Sequence, residues 1–164
     1  MRLNLLWLSL SLLALSPAAW TQNNNEAGLP ITIEADSLVA QEQQGISLYQ
    51  GDVVATQGRF SLQGEQLEIT HPNQQLERLH MSGKPAQFKR YLEQQQAWVS
   101  GHADTIIYHA QSKQIELIGN AYIEQEGTHT ISGPTLYYDL NKETLQANGS
   151  VEQPGRVSVT ITPQ

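Results

Sequence analysis

Gly51-Asp52-Val53-Val54-Ala55-Thr56-Gln57-Gly58, followed by Leu62-Gln63-Gly64-Glu65-Gln66-Leu67, is the stretch on which the fold turns. It reads as a hydrophobic strand bracketed by Gly, then a second strand with Gly set inside it. The phrase returns as Gly119-Asn120-Ala121-Tyr122-Ile123-Glu124-Gln125-Glu126-Gly127, followed by Ile131-Ser132-Gly133-Pro134-Thr135-Leu136. A more worn copy has Gly83-Lys84-Pro85-Ala86 and then Val99-Ser100-Gly101-His102-Ala103-Asp104-Thr105-Ile106. Partial copies are Ile33-Glu34-Ala35-Asp36-Ser37-Leu38 and Ala147-Asn148-Gly149-Ser150-Val151. The leading Gly recurs at 51, 83, 119 and 149, at intervals of 32, 36 and 30 (83 − 51, 119 − 83, 149 − 119). Self-similarity at that period is the mark of stacked supersecondary units that share one continuous core. Function then belongs to the stack as a whole more than to a single catalytic pocket.

Around this phrase the hydrophobic pattern has period two. Ile31, Ile33 and Ala35 alternate with Thr32 and Glu34; Leu67 and Ile69 with Glu68 and Thr70; Val157, Val159 and Ile161 with Ser158 and Thr160. Such alternation predicts half-buried strands in an antiparallel sheet. Turns are expected at Gln43-Gln44-Gly45, Gln57-Gly58, His71-Pro72-Asn73, Gln94-Gln95-Gln96, Gln111-Ser112-Lys113, Glu126-Gly127 and Leu140-Asn141-Lys142. No segment has convincing helical periodicity, though His71 to Leu79 has room for one turn. Across Gly64, Gly101 and Gly133 the inward parity changes, so a bulge or corner is expected at each. Strands that bend at one height fold into a V-shaped, open roll with two facing layers and one apolar seam.

The chain has 164 residues, enough for one domain. Met1-Arg2-Leu3-Asn4 is basic, Leu5 to Leu15 is apolar, and Ser16-Pro17-Ala18-Ala19 supplies small residues. Residues 1–20 therefore read as an export signal cut near Ala18/Ala19 rather than as a membrane anchor, since a spanning helix needs about 20 apolar residues. Residues 21–29 are polar and Asn-rich and are expected to be flexible. The all-β domain is expected over 30–164. With no Cys in the chain, the core alone must hold the fold. A net charge of −7, from 16 acidic and 9 basic residues, argues against a nucleic-acid partner.

The five His (His71, His80, His102, His109, His129) lack the tight spacing of a metal site, and no Cys assists them. The carboxylates are scattered and no strand–turn–helix is present to build a nucleophile elbow. No enzyme, metal or cofactor is expected. The inward stripe is more informative. It includes Ile31, Ile33, Leu38, Leu48, Leu62, Phe88, Tyr108 and Ile131. These residues either fill the core or line one open edge of the seam that takes an apolar ligand. The first strand, with Ile31 and Ile33, and the last, with Val157, Val159 and Ile161, form the two edges. The last has no charge after Arg156, which invites strand addition.

Gly51-Asp52-Val53-Val54-Ala55-Thr56-Gln57-Gly58, Gly83-Lys84-Pro85-Ala86-Gln87-Phe88, Gly101-His102-Ala103 and Leu117-Ile118-Gly119-Asn120-Ala121-Tyr122 together resemble the OstA-like domain family, over about Pro30 to Ile161. The resemblance implies a single β-jelly roll of antiparallel strands and a periplasmic role in lipopolysaccharide transport. It implies that copies dock head to tail into a bridge from inner to outer membrane, with LptC and the amino-terminal domain of LptD at its ends. It also implies that acyl chains ride in an apolar groove, for which Ile31, Ile33, Leu38, Leu62, Phe88, Tyr108 and Ile131 are the candidate contacts. Ile31, Ile33, Val157, Val159 and Ile161 are the candidate docking edges. The competing readings are an LptC-like component held in the membrane by its amino terminus, and a structural or adhesive β-stack with a filled core.

Overall fold

The computed structural model describes residues 28–148 and 155–161. The expected leader over 1–20, residues 21–27 of the stretch 21–29 expected to be flexible, and residues 149–151 of the last repeat copy lie outside the described residues. Among the described residues the period-two segments become ten strands of one antiparallel sheet. These are β1 (Thr32–Glu34), β2 (Ser37–Gln41), β3 (Ile46–Gln57), β4 (Phe60–Thr70), β5 (Arg78–Leu92), β6 (Ala97–His109), β7 (Gln114–Gln125), β8 (His129–Asp139), β9 (Thr144–Asn148) and β10 (Ser158–Ile161). The main path runs β1-β3-β4-β5-β6-β7-β8-β10, with β2 also on β3 and β9 also on β8. Among the described residues helix is confined to the short 3₁₀ turns Glu42–Gln44 and Pro72–Gln74, the second within the stretch where one turn was expected.

A single row of irregularities crosses the sheet and folds it. The β3–β4 register jumps between Gln50 and Val53, opposite Gly64 and Glu65. It jumps between Ser82 and Ala86 where β5 meets β6, between His102 and Thr105 where β6 meets β7, and between Ile118 and Ala121 where β7 meets β8. At both ends of the row the device is the same. Gly51 and Asp52 have φ of 86° and 40°, and Gly119 and Asn120 have φ of 78° and 48°. Two consecutive left-handed residues insert one extra position against the partner strand and turn the chain. Gly takes the first place because a Cβ there would strike the Asp36 or Asp104 carboxylate. Asp and Asn tolerate the second. The neighbouring strand secures each insertion. Asp36 N–H donates to the Gly51 carbonyl at 3.1 Å, and Asn120 Nδ2 donates to the two Asp104 carboxylate oxygens at 3.3 and 3.0 Å.

Each long strand therefore contributes one half to each of two facing arms. The first arm is bounded by β1 and β10, which pair Val54–Thr56 of β3 and His129–Ser132 of β8. The second arm is bounded by β2 and β9, which pair Ile46–Gln50 of β3 and Thr135–Asp139 of β8. Leu62, Phe88, Val99 and Ile123 project inward from the first arm, and Leu67, Met81, Ile106, Leu117 and Leu136 from the second; all are buried. Removing a Leu or Phe of this kind from water is worth about 1.5–3 kcal/mol, so the seam between the arms dominates stability.

Two sequence expectations are corrected by the register. Gly101 was expected to mark a bend, but it lies in unbroken ladders, opposite Phe88 on one side and Ile123 on the other. Its small size serves packing: a Cβ there would strike the Phe88 ring and come 2.7 Å from the Tyr122 carbonyl oxygen. Gly101→Val should cost about 1–3 kcal/mol through overpacking, read as a lower urea midpoint. Gly133→Ala, whose Cβ would meet nothing closer than 3.6 Å, should stay within about 0.5 kcal/mol. Equal effects at the two glycines would refute this assignment.

Leu48 was placed on the inward stripe, but it pairs with Val39 and Glu68 on the outer surface. Ser47, Tyr49, Val53 and Ala55 face inward on both sides of the Gly51-Asp52 insertion. Ser47 is buried, and its Oγ lies 2.9 Å from His71 Nε2, which offsets the cost of burying a hydroxyl.

Candidate functional site

The space between the arms is the site that the sheet builds. Leu62 and Phe88, 0% and 2% exposed, pair across β4 and β5 and lie deep in it. Ile31, Leu62 and Tyr108 meet at a crevice at the β1 end of the roll, together with Phe60, Leu79 and Ala55. Ile33, paired with Ala55, is half-buried beside it. Ile131 is half-buried at the other end, between Ile123 of β7 and Val159 of β10. Leu38 is separate from both groups. It pairs with Tyr49 on the edge of the second arm and is 54% exposed. The crevice has a free volume of about 10 Å³, where about 10–15 Å³ is needed to admit one water. This crevice is closed, and Leu62, Leu67, Met81, Ile106, Leu117 and Leu136 are buried between the arms.

What brings the tips together is a set of long-range side-chain contacts for which the alternation pattern gives no signal. Phe60, near the tip of the first arm, packs on Tyr108 of the second with ring centroids 5.9 Å apart. Gln95 Nε2, in the β5–β6 turn, donates to Glu143 Oε2 of the β8–β9 turn at 2.6 Å, and Gln125 Nε2 donates to Gln95 Oε1 at 2.9 Å. Beneath this clasp Tyr138 is buried. Burial first, and the Glu143 carboxylate second, raise its phenol above the usual tyrosine range, with Arg90 pulling the other way. The phenol is therefore held neutral at the rim, between the Glu143 carboxylate and Arg90, which pairs with Phe60 and Val99 on the inner face. Every backbone ladder runs along the sheet, and the described strand pairings include none from one arm to the other. Parting the tips therefore breaks side-chain contacts and leaves the strand hydrogen bonds intact.

The two ends of the roll show the same pattern on opposite edges. Leu38 and Val39 are exposed on β2, and Val157, Val159 and Ile161 on and beside β10, the last two 52% and 73% exposed. Val159 and Ile161 pair with Ile131 and His129, so they lie on the inner face and extend the apolar seam to the rim. Among the described residues no group of three or more His, Asp or Glu converges where it could hold a metal ion. The inner face is apolar from the buried middle of the sheet to the exposed Val159 and Ile161 at its rim.

The family model described as LptA/(LptD N-terminal domain) LPS transport protein matches residues 32–144. Lipopolysaccharide export system protein LptH of Pseudomonas aeruginosa is 31% identical over 141 residues, covering 82% of this chain and 80% of that protein. Lipopolysaccharide export system protein LptA of Escherichia coli K12 is 30% identical over 158 residues, covering 95% of this chain and 83% of its own length. The crystal structure of LptH, described as the LptA-homologous periplasmic component of the lipopolysaccharide transport device of Pseudomonas aeruginosa, superposes with a TM-score of 0.78. It is 27% identical, and the match spans 84% of this chain and 99% of that one.

Proposed function

We propose, because this chain belongs to the LptA/LptD amino-terminal domain family of lipopolysaccharide transport proteins, that it is an exported periplasmic carrier that holds the acyl chains of lipopolysaccharide between its two arms. The supporting observation is the apolar seam that reaches both rims of the roll, buried in the middle and exposed at Leu38, Val159 and Ile161. Several long acyl chains cannot cross water unaided, since each CH₂ exposed costs about 0.8 kcal/mol. A seam that reaches both rims lets chains pass from one copy to the next without leaving an apolar surface.

The closed seam is the lipid-free state in this reading. When the tips part, the chains take over the contacts that the arms give up, so the apolar area kept from water changes little. Ile31, Ile33, Leu62, Phe88, Tyr108 and Ile131 are the contacts along the seam, and Leu38 extends it at the β2 edge. Copies join head to tail, the β1/β2 edge of one accepting the β9/β10 edge of the next. LptC and the LptD amino-terminal domain occupy the free ends of the array. The leader is removed near Ala18/Ala19, and no catalytic step is assigned to the chain.

Photo-cross-linking in cells tests this reading. A photoreactive residue at Ile33 or Phe88 should capture lipopolysaccharide well above the level captured at the exposed Gln75. Ile33→Asp, which places a charge beside Ala55 at the crevice, should lower the lipid recovered with the purified protein. Capture at Ile33 and Phe88 no greater than at Gln75 would overturn the carrier assignment.

A further inference from the structure

The outer face of the first arm carries a second concavity that the acyl seam does not use. Its volume is about 260 Å³, near the lower end of the ~300–1,000 Å³ range of small-molecule pockets. Two cross-strand rows line it. One is Ser61–Lys89–Ser100–Glu124, and the next is Gln63–Gln87–His102–Tyr122. The short Ser61 and Ser100 leave the hollow, and the longer amides and rings form its walls. His102 stacks on Tyr122 with centroids 4.9 Å apart and planes at 19°, and Tyr122 donates its O–H to Glu124 at 3.2 Å.

A third row, toward the tip of the arm, is aromatic. Tyr91 meets Trp98 edge-on with ring centroids 5.2 Å apart. Lys89 Nζ lies 4.5 Å from the Trp98 ring and Arg59 Cζ 4.4 Å from that of Tyr91. These rings begin two residues beyond Gln96 at the arm tip, so the face continues around the tip from the rim where the arms meet.

The composition of this face selects its ligand. The exposed large apolar residues lie elsewhere, at Leu29, Leu38, Val39, Val157, Val159 and Ile161. That removes the usual anchor for a membrane or an apolar protein partner. The chain's charge of −7 opposes nucleic acid. What remains is a dense set of neutral donors and acceptors beside π-systems, with one ammonium and one carboxylate at opposite sides. That set matches a sugar ring, which offers hydroxyls around its rim and C–H groups on its faces. We propose that this trough is a saccharide-binding site for one or two sugar units, with Gln63, Gln87, Ser100 and His102 reading hydroxyls and Tyr91 and Trp98 bounding the ring. The saccharide could belong to the carried lipid or to a free glycan, and the chemistry recognised is the same. The site does not depend on acyl binding, and lipid capture at Ile33 tests that reading separately.

The experiment is NMR of the purified protein, following the indole N–H of Trp98, assigned by its loss in Trp98→Phe. One arm adds core oligosaccharide freed of lipid by mild acid, and the other adds chitotetraose, a β-1,4-linked N-acetylhexosamine oligomer. A saturable shift with the first alone assigns the trough to the sugar of the lipid. A shift with the second alone assigns it to free glycan, and shifts with both assign it to saccharides generally. Ser100→Tyr, which fills the hollow from an outward position, should weaken each shift at least tenfold while leaving capture at Ile33 unchanged. No shift with either sugar, or shifts that survive Ser100→Tyr undiminished, would overturn the site.

Discussion

Linking the arm tips through Gln95→Cys and Glu143→Cys should abolish lipid loading, and releasing the link should restore it. Gln95 Nε2 and Glu143 Oε2 are 2.6 Å apart across the mouth of the seam. A short bis-methanethiosulfonate linker can therefore span the two thiols with the arms closed. The chain has no Cys of its own, so the linker has no other site, and dithiothreitol reverses it. The closed seam offers about 10 Å³ at its crevice, room for no acyl chain. If the tips must part, the linked protein should recover less than about a tenth of the lipopolysaccharide bound by the reduced protein, with the same circular dichroism. The reduced double variant, which lacks the clasp, should load at least as well as the native chain. A net hydrogen bond contributes only about 0.5–1.5 kcal/mol, so losing the clasp favours opening without unfolding the arms. Full loading with the tips linked would show that lipid does not enter between them.

The second large effect is expected at the β10 edge. Val159→Asp with Ile161→Asp should turn concentration-dependent oligomers into monomers by light scattering. Both side chains sit on the inner face of an edge strand and are more than half exposed. In a single copy the charges stay solvated and the fold should change by no more than about 0.5 kcal/mol. In a head-to-tail joint each carboxylate would be buried without a partner, at about 1–3 kcal/mol or more per group. Inward-pointing charge is also the device by which natural sheets block edge pairing. Two such groups should weaken association by at least about thirtyfold, since 1.4 kcal/mol is tenfold. Oligomers that persist at the native concentration dependence would remove this edge from the joint.

Much of the fold is legible in the chain. Period-two alternation and the Gly-led phrase identify an all-β, bent, repetitive sheet, because burying one face of a strand leaves its mark on every second residue. The height of the bend is less legible. Parity pointed to Gly64, Gly101 and Gly133; Gly64 lies within the β4–β5 register shift and Gly133 at the edge of the β7–β8 shift, but Gly101 does not, and the paired left-handed insertions are Gly51-Asp52 and Gly119-Asn120. A signal for them exists. Ala35-Asp36-Ser37-Leu38 and Ala103-Asp104-Thr105-Ile106 each place an Asp 15 residues before the Gly (51 − 36 and 119 − 104). That is the offset at which the carboxylate covers the insertion on the next strand. Leu48 was misplaced for a related reason. Hydrophobicity favoured it for the interior, but the register of β3 buries Ser47, and His71 satisfies the hydroxyl.

Of the candidate site, the residues were legible and their present state was not. Ile31, Leu62 and Tyr108 could be named from alternation because each faces inward along its own strand. Phe60, Leu79 and the Gln95–Glu143 clasp could not, because they meet only when two arms from distant strands close.

By itself the amino-acid sequence determined a repeated, bent antiparallel sheet with an apolar inner stripe, since those properties depend on residues one or two positions apart. Only the tertiary structure decided that the stripe is shut in the middle, bare at the rims and clasped at the tips. Those contacts join residues far apart in the chain, 48 positions in the clasp, and no local pattern encodes how far two arms swing before they touch.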